Sequence, residues 1–218
     1  MMASVKRDYG QFCGLAAALN VIGERWTLLV LRELLIGPAR FTELAGNLPG
    51  AGPNLLSDRL RTLVEHGVVE QSSVEGDGRA RQYHLTDLGE ELRGPVLALA
   101  NWGLGFLREE DRSGAVRAEW GFLAVQSMVV ESAIPAVDEV YEFQVGDEPF
   151  VIEVKGGAVA FGRGHAERPD LTVECDADTF VRVGARMVSP FEAIATGDVR
   201  IKGKAESVRR CILLLGLN

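Results

Sequence analysis

The stretch PGAGPNLLSDRLRTLVEHGVVE, Pro49 to Glu70, constrains the fold more than any other part of the chain. A glycine-rich turn bounded by Pro49 and Pro53 opens into an apolar-periodic helix, Asn54 to His66, which Gly67 closes. At 100° per residue, Leu56, Leu60, Leu63 and Val64 share one side and form a stripe for burial. Asn54, Asp58, Arg61 and Glu65 point away from it, with Ser57 at the margin and Arg59 on the opposite flank. A phosphate-cradling loop would need a strand before it and a βαβ unit around it, or a lysine at the P-loop position. The preceding residues are helical and that lysine is missing, so the nucleotide reading fails. What remains is the turn of a helix-turn-helix or a plain pair of packed helices, and the helical pattern alone does not choose between them.

The neighbouring residues shift the balance. VVEQSSV and RARQYHL are β-rich runs joined by Glu75-Gly76-Asp77-Gly78, a hairpin with an Asp-Gly turn. Upstream, Leu15, Leu19 and Ile22, then Trp26, Leu29, Val30 and Leu34, recur at helical spacing across a joint at Gly23. Gly37-Pro38 stops the second helix, and Phe41, Leu44, Ala45 and Leu48 carry a short third one capped from Thr42 or its neighbours. Downstream, Thr86 caps a long helix running through Leu88, Leu92, Val96, Leu99, Trp102 and Phe106. Helix, helix, helix, turn, helix, strand, strand, long helix is the order of a mainly α winged helix-turn-helix with an added helix at each end.

A length of 218 residues leaves room for a second core. The joint is expected near Ser113-Gly114, giving domains over residues 1–112 and 113–218. In the second, a helix over Val116 to Ile134 precedes strands at Glu139–Val145, Phe150–Lys155, Ala158–Phe161 and Leu171–Cys175, with Gly156-Gly157 as a hairpin turn. Helices over Ala177–Met187 and Pro190–Thr196, a strand at Val199–Gly203 and a helix over Ala205–Leu215 complete an α+β domain. Ser189-Pro190-Phe191-Glu192 carries the cap, the proline and the back-reaching glutamate of a helix start.

The formal net charge is −8, and both halves carry more carboxylates than cations. That excludes non-specific coating of nucleic acid, so a nucleic-acid role has to rest on the motif and not on bulk charge. Cys13, Cys175 and Cys211 are scattered and lack disulfide-framework spacing, which fits free thiols in a reducing cytoplasm. His66, His84 and His165 have no zinc spacing, so no metal is expected. The N-terminal apolar stretch is interrupted by Asn20, Glu24 and Arg25 and reads neither as a signal peptide nor as a membrane span.

From Tyr9 to about Trp102 the chain resembles the HxlR-type winged-helix transcriptional regulators. The resemblance rests on Cys13, on Ile22-Gly23-Glu24-Arg25-Trp26-Thr27, Leu31-Arg32-Glu33-Leu34, Gly37-Pro38 and Arg40-Phe41-Thr42-Glu43-Leu44. It continues through Leu56-Ser57-Asp58-Arg59-Leu60, Gly67-Val68-Val69-Glu70 and Tyr83-His84-Leu85-Thr86-Asp87-Leu88-Gly89, with order and spacing both kept. It departs in having glycine after Cys13, where many relatives have proline, and in a shorter, more acidic wing tip. The resemblance implies a homodimer, paired through the helices outside the DNA-reading core, on a two-fold-related operator in double-stranded DNA; repression is expected over activation. Residues from about Arg117 to Leu217 resemble the sterol-carrier-protein-type fold, through YEFQVGDEPFVIEVKGGAVAFGRG, Asp170-Leu171-Thr172-Val173 and the Ser189–Ala193 helix start.

On this basis Asn54, Ser57, Asp58 and Arg61 are the base-facing candidates. Arg40 and Thr42 are phosphate contacts, and Arg79 with Arg81 shares a strand face near the wing tip, for the minor groove or the backbone. Arg59 has two open roles, a phosphate clamp or a structural partner of Glu43 or Asp58. Cys13 also has two, a redox or electrophile sensor, which requires exposure and a lowered thiol pKa, or a small buried apolar residue beside Phe12, Leu15 and Ala16. Phe143, Phe150, Ile152, Phe161, Phe180, Phe191, Ile201 and Leu214 are core or the lining of a cavity for an apolar small-molecule effector. There is no Ser-His-Asp or Cys-His arrangement and no credible carboxylate pair, and the acidic residues are expected mostly at turns or on alternating solvent faces, so neither catalysis nor a cofactor is implied. The competing reading is a lipid- or acyl-chain-binding carrier in which the winged helix serves as a dimer scaffold.

Overall fold

A computed structural model describes residues 9–74, 77–110 and 114–217. The chain divides into two compact units, Met1–Val96 and Leu97–Asn218.

In the first unit α1 (Gly14–Ile22) and α2 (Thr27–Ile36) meet at an angle of 80°. Trp26 makes the bend possible by adopting a left-handed backbone, φ 78°, which is uncommon for any residue other than glycine. A two-residue strand, β1 (Ala39–Arg40), leads into α3 (Phe41–Asn47), and α4 (Pro53–Glu65) follows. β2 (Val69–Val74) and β3 (Asp77–Leu85) form the expected hairpin, and β1 pairs with the other edge of β3, Arg40 opposite Gln82. β1 is too short to show periodicity and was not expected. The cap of α3 comes from the neighbours of Thr42. The backbone N–H of Arg40 donates to Glu43 Oε2 at 2.6 Å, so the glutamate fixes this helix start.

The buried stripe of α4 is Leu56, Leu60 and Leu63, packed on Val30, Leu31 and Leu44, whereas Val64 is exposed. Gly67 ends α4 at φ 69°, its N–H reaching Val64 O while Val68 N–H reaches Leu63 O. The long helix expected after Thr86 is broken. Thr86 Oγ1 accepts from Gly89 N–H and caps only α5 (Asp87–Glu90), and α6 (Arg93–Leu104) starts afresh. Pro95 has no N–H for the carbonyl of Glu91, and its ring would clash there, so the chain cannot stay helical through Glu91 and Leu92.

In the second unit the helix expected over Val116 to Ile134 is shorter, α7 (Glu119–Met128), followed by a 3-10 turn at Glu131–Ala133. The sheet comprises β4 (Glu139–Val145), β5 (Glu148–Lys155), β6 (Ala158–Arg163), β7 (Leu171–Cys175) and β8 (Arg200–Gly203), in the order β6-β5-β4-β7-β8. Only β4 and β7 run parallel. α8 (Ala177–Gly184), α9 (Pro190–Thr196) and α10 (Ala205–Leu214) complete the mixed α+β arrangement.

Two carboxylates of the second unit are exceptions to the expectation that the acids lie mostly at turns or on solvent faces. Glu139 and Glu142, on the central strand β4, are both buried. Glu139 is paid for by a closed network. Arg210 donates through Nε to Oε2 at 2.8 Å and through Nη2 to Oε1 at 2.5 Å, Tyr141 Oη donates to Oε2 at 2.6 Å, and Ser207 Oγ donates to Oε1 at 2.7 Å. Glu142 Oε2 accepts the backbone N–H of Ala166 at 2.7 Å and so ties the loop after β6 to the sheet.

Candidate nucleic-acid interface and apolar cavity

Burial of Leu56, Leu60 and Leu63 dictates what α4 shows to solvent: Asn54, Ser57, Asp58 and Arg61 are all exposed. Arg61 Nη2 pairs with Asp58 Oδ1 at 2.9 Å, and Nε lies 3.8 Å from Glu65 Oε1. More than half of each of these three side chains is in solvent, where an ion pair is worth at most about 1 kcal/mol, so a stronger partner can displace it. Arg40 and Thr42 are exposed at the start of α3, and pairing of β1 with β3 anchors Arg40 beside the wing hairpin. Arg81 is exposed on β3, with Nη1 3.5 Å from Ser73 Oγ. The side chain of Arg79 and the residues Glu75-Gly76 at the wing tip lie outside the described residues.

Arg59 turns inward, and its partners are neither Glu43 nor Asp58. Its Nε donates to the carbonyl of Arg25 at 3.0 Å and its Nη2 to Glu24 Oε2 at 3.1 Å, and only 16% of the side chain is exposed. The same bend supports the turn before α4, because the Trp26 ring sits so close to Gly50 that a Cβ there would stand 2.5 Å from Cη2. The Arg25 guanidinium lies 5.4 Å above that ring. Sequence periodicity put the joint at Gly23 and Trp26 on the apolar stripe of the second helix, whereas Trp26 stands before that helix in a left-handed backbone and makes the bend.

In the single chain Cys13 is exposed, and so are Phe12 and Leu15 beside it. The thiol stands at the N-cap of α1, where the backbone N–H groups of Ala16 and then Leu15 lower its pKa from the ordinary value.

The second unit contains an apolar cavity of about 70 Å³. Of the eight residues expected as core or cavity lining, Phe143, Phe180 and Ile201 line it. Phe150, Ile152 and Leu214 are fully packed core, with Phe150 stacked on Phe143 at 5.4 Å between ring centroids. Phe161 packs against that core from β6, and Phe191 is 61% exposed on the outside of α9. The rest of the lining includes Met128, Leu171, Val173, Ile194 and the two thiols Cys175 and Cys211. Large aromatics drew attention in the sequence, whereas the cavity is walled mostly by branched aliphatics that a strand or helix pattern assigns equally well to core.

Residues 21–111 match the HxlR-like helix-turn-helix family, and residues 123–215 match the SCP-2 sterol transfer family. The HTH-type transcriptional regulator sll1512 of Synechocystis is 31% identical over 103 residues, 47% of this chain and 76% of that protein. The chain belongs to the HxlR-like helix-turn-helix family. A Bacillus subtilis HTH-type regulator, YkvN, is 33% identical over 99 residues, 45% of this chain and 83% of its own. Rv3095 of Mycobacterium tuberculosis, another HTH-type regulator, is 43% identical over 90 residues, 41% of this chain, and the match spans 56% of that relative's length. All three likenesses are of a size with the HxlR-like part alone.

Proposed function

We propose that the protein is a homodimeric, non-catalytic transcriptional regulator of the cytoplasm, associated with the nucleoid when bound to DNA. Residues 1–112 read a two-fold-related operator, and residues 113–218 receive an apolar small-molecule effector. One observation carries the reading: α4 buries Leu56, Leu60 and Leu63 and turns Arg59 inward, leaving Asn54, Ser57, Asp58 and Arg61 as an exposed polar edge. Short polar groups and a guanidinium on one helix edge can match base donors and acceptors in a major groove. Arg40, Thr42 and Arg81, exposed on β1, α3 and β3, supply phosphate contacts, together with Arg79 of β3. The exposed apolar side chains Phe12 and Leu15 near α1, and Leu99 and Trp102 on α6, support dimer pairing through the added helices.

Repression follows if the operator overlaps a promoter, and an effector relieves it only by binding the DNA-competent and incompetent states with different affinity. Cys13, exposed and with a lowered thiol pKa, supports a second input from oxidants or electrophiles. The alternative of an apolar-ligand carrier on a dimer scaffold draws on Asp58, an anion on the reading edge, and on the cavity. A gel-shift titration with the DNA upstream of the chain's own gene separates the two. The regulator gives a sequence-specific complex that weakens with salt, and the carrier gives none.

A further inference from the structure

We propose that Asp58 is a positioning residue for Arg61: it holds the guanidinium away from the phosphate backbone and aims it at guanine, so that each operator half-site carries a G·C pair where Arg61 meets it. This rests on the reading of α4 as the helix that enters the major groove.

The exposed edge of α4 carries the wrong charge for simple DNA attraction. Asn54 and Ser57 are neutral, while Asp58, Arg61 and Glu65 give that edge two carboxylates for one cation. Arg59 cannot add a second cation, because its Nε and Nη2 are held by Arg25 O and Glu24. A carboxylate facing DNA repels phosphate whatever the sequence, so it weakens binding to all DNA alike. Any benefit it brings has to be selective. Helix stability is a poor reason for these anions. Exposed i,i+3 and i,i+4 pairs add little in solvent, and Glu65, the last residue of α4, puts a negative charge at the helix end that favours cations.

The atoms that meet explain what Asp58 does. Its Oδ1 lies 2.9 Å from Nη2 of Arg61, and Glu65 Oε1 lies 3.8 Å from Nε. Nε and Nη2 share one edge of the planar guanidinium, so both carboxylates stand on that edge. Among the described residues the Nη1 end has no ion-pair partner. The fork of Nη1 and Nη2 presents two parallel donors. Guanine answers with two acceptors on its major-groove edge, N7 and O6. Adenine offers one acceptor and one donor, thymine one acceptor and a methyl group, and cytosine a donor.

An exposed arginine that nothing holds has another choice, since its side chain is mobile and phosphate oxygens outnumber the base acceptors within its reach. Asp58 opposes that choice twice. It fixes one edge of the guanidinium, and its own charge keeps the pair off the backbone. The pair is weak in open solvent and strengthens where the groove excludes water.

Fluorescence anisotropy of the full chain tests this with duplexes in which each base pair of the site bound upstream of its own gene is replaced in turn, and with scrambled DNA, at two salt concentrations. Wild type should lose roughly tenfold or more in affinity when one G·C pair per half-site is replaced, and Arg61→Ala should lose that preference. Asp58→Ala should lose most of the preference at the same position. It should also bind scrambled DNA several-fold more tightly, with a salt dependence steeper by about one unit of slope per subunit. Asp58→Asn, which keeps an acceptor without the charge, should fall between. Combining Asp58→Ala with Arg61→Ala should remove no more preference than Arg61→Ala alone. A preference of Arg61 for any pair other than G·C overturns the base assignment. Three results overturn the positioning role: an intact preference in Asp58→Ala, a uniform loss over all sequences, or a loss at a different position from that of Arg61→Ala, as expected if Asp58 itself accepts from cytosine. Equal binding of wild type to upstream and scrambled DNA defeats the regulator reading and this proposal together, whereas sequence preference indifferent to Asp58 defeats the proposal alone.

Discussion

Trp26 lies directly against Gly50, so that a Cβ at position 50 would stand 2.5 Å from its Cη2. The bend between α1 and α2 therefore sets the position of the turn that launches α4. Gly50→Ala forces the indole or the turn to move, and overpacking of this kind costs about 1–3 kcal/mol. Urea unfolding of the first unit should show that loss, and an unchanged midpoint would mean the contact is easily relieved.

Arg59 and Arg61 sit two apart on α4 and should behave in opposite ways. Arg59→Ala removes one donor from the carbonyl of Arg25 and one charged donor from the carboxylate of Glu24, so a stability loss of about 1–3 kcal/mol is expected. Arg61→Ala removes only exposed ion pairs and should change stability by less than about 0.5 kcal/mol. It should instead relax preference at one operator position, by about 1–3 kcal/mol if its base contact is bidentate. Equal stability losses in the two variants would refute this assignment of inward and outward roles.

Much of this contrast was legible in the sequence. The 100° wheel placed Leu56, Leu60 and Leu63 inside and Arg61 outside, because α4 is an amphipathic helix whose period fixes its faces. It did not reveal the partners of Arg59, which come from a bend 34 and 35 residues away in sequence. It placed Val64 inside, although that side chain lies at the edge of the stripe and remains exposed. The break of the long helix at Glu91 and Leu92 was readable from the N–H that Pro95 lacks, but the continuous apolar spacing from Leu88 to Phe106 masked it. In the second unit, strand and helix positions followed from alternation and turn residues. The cavity lining did not, since a side chain facing a void and one facing a neighbour obey the same pattern.

Acid should act on the second unit through Glu139. The Arg210 guanidinium, aided by Tyr141 and Ser207, lowers its carboxyl from the ordinary value near 4.5 to about 2. A carboxylate whose folded pKa is depressed contributes stability that is fully present above the unfolded value and is lost as pH falls towards the folded one. The loss should therefore run from about pH 4.5 down to about 2 and total on the order of 3 kcal/mol. Urea midpoints measured through methyl resonances of Ile152 and Leu171 should show a slope in this window that Glu139→Gln flattens. An equal slope in the variant would place the acid sensitivity elsewhere.

The three thiols should separate by reactivity. Cys13 is exposed with a lowered pKa, whereas burial pushes Cys175 and Cys211 up to about 12. Brief iodoacetamide treatment of the folded chain near pH 7.5, read by peptide mass spectrometry, should label Cys13 first and leave the other two largely unmodified. Comparable labelling of Cys211 would show that the cavity wall opens readily.

The central claim is that the polar edge of α4 reads DNA sequence. Fluorescence anisotropy of the full chain with labelled DNA from upstream of its own gene, against scrambled DNA at two salt concentrations, tests it most directly. The account predicts tighter binding to the upstream DNA, weakening as salt rises, with the preference reduced by Arg61→Ala. Equal affinity for both DNAs at each salt concentration, or a preference untouched by Arg61→Ala, Asn54→Ala and Ser57→Ala alike, would contradict it.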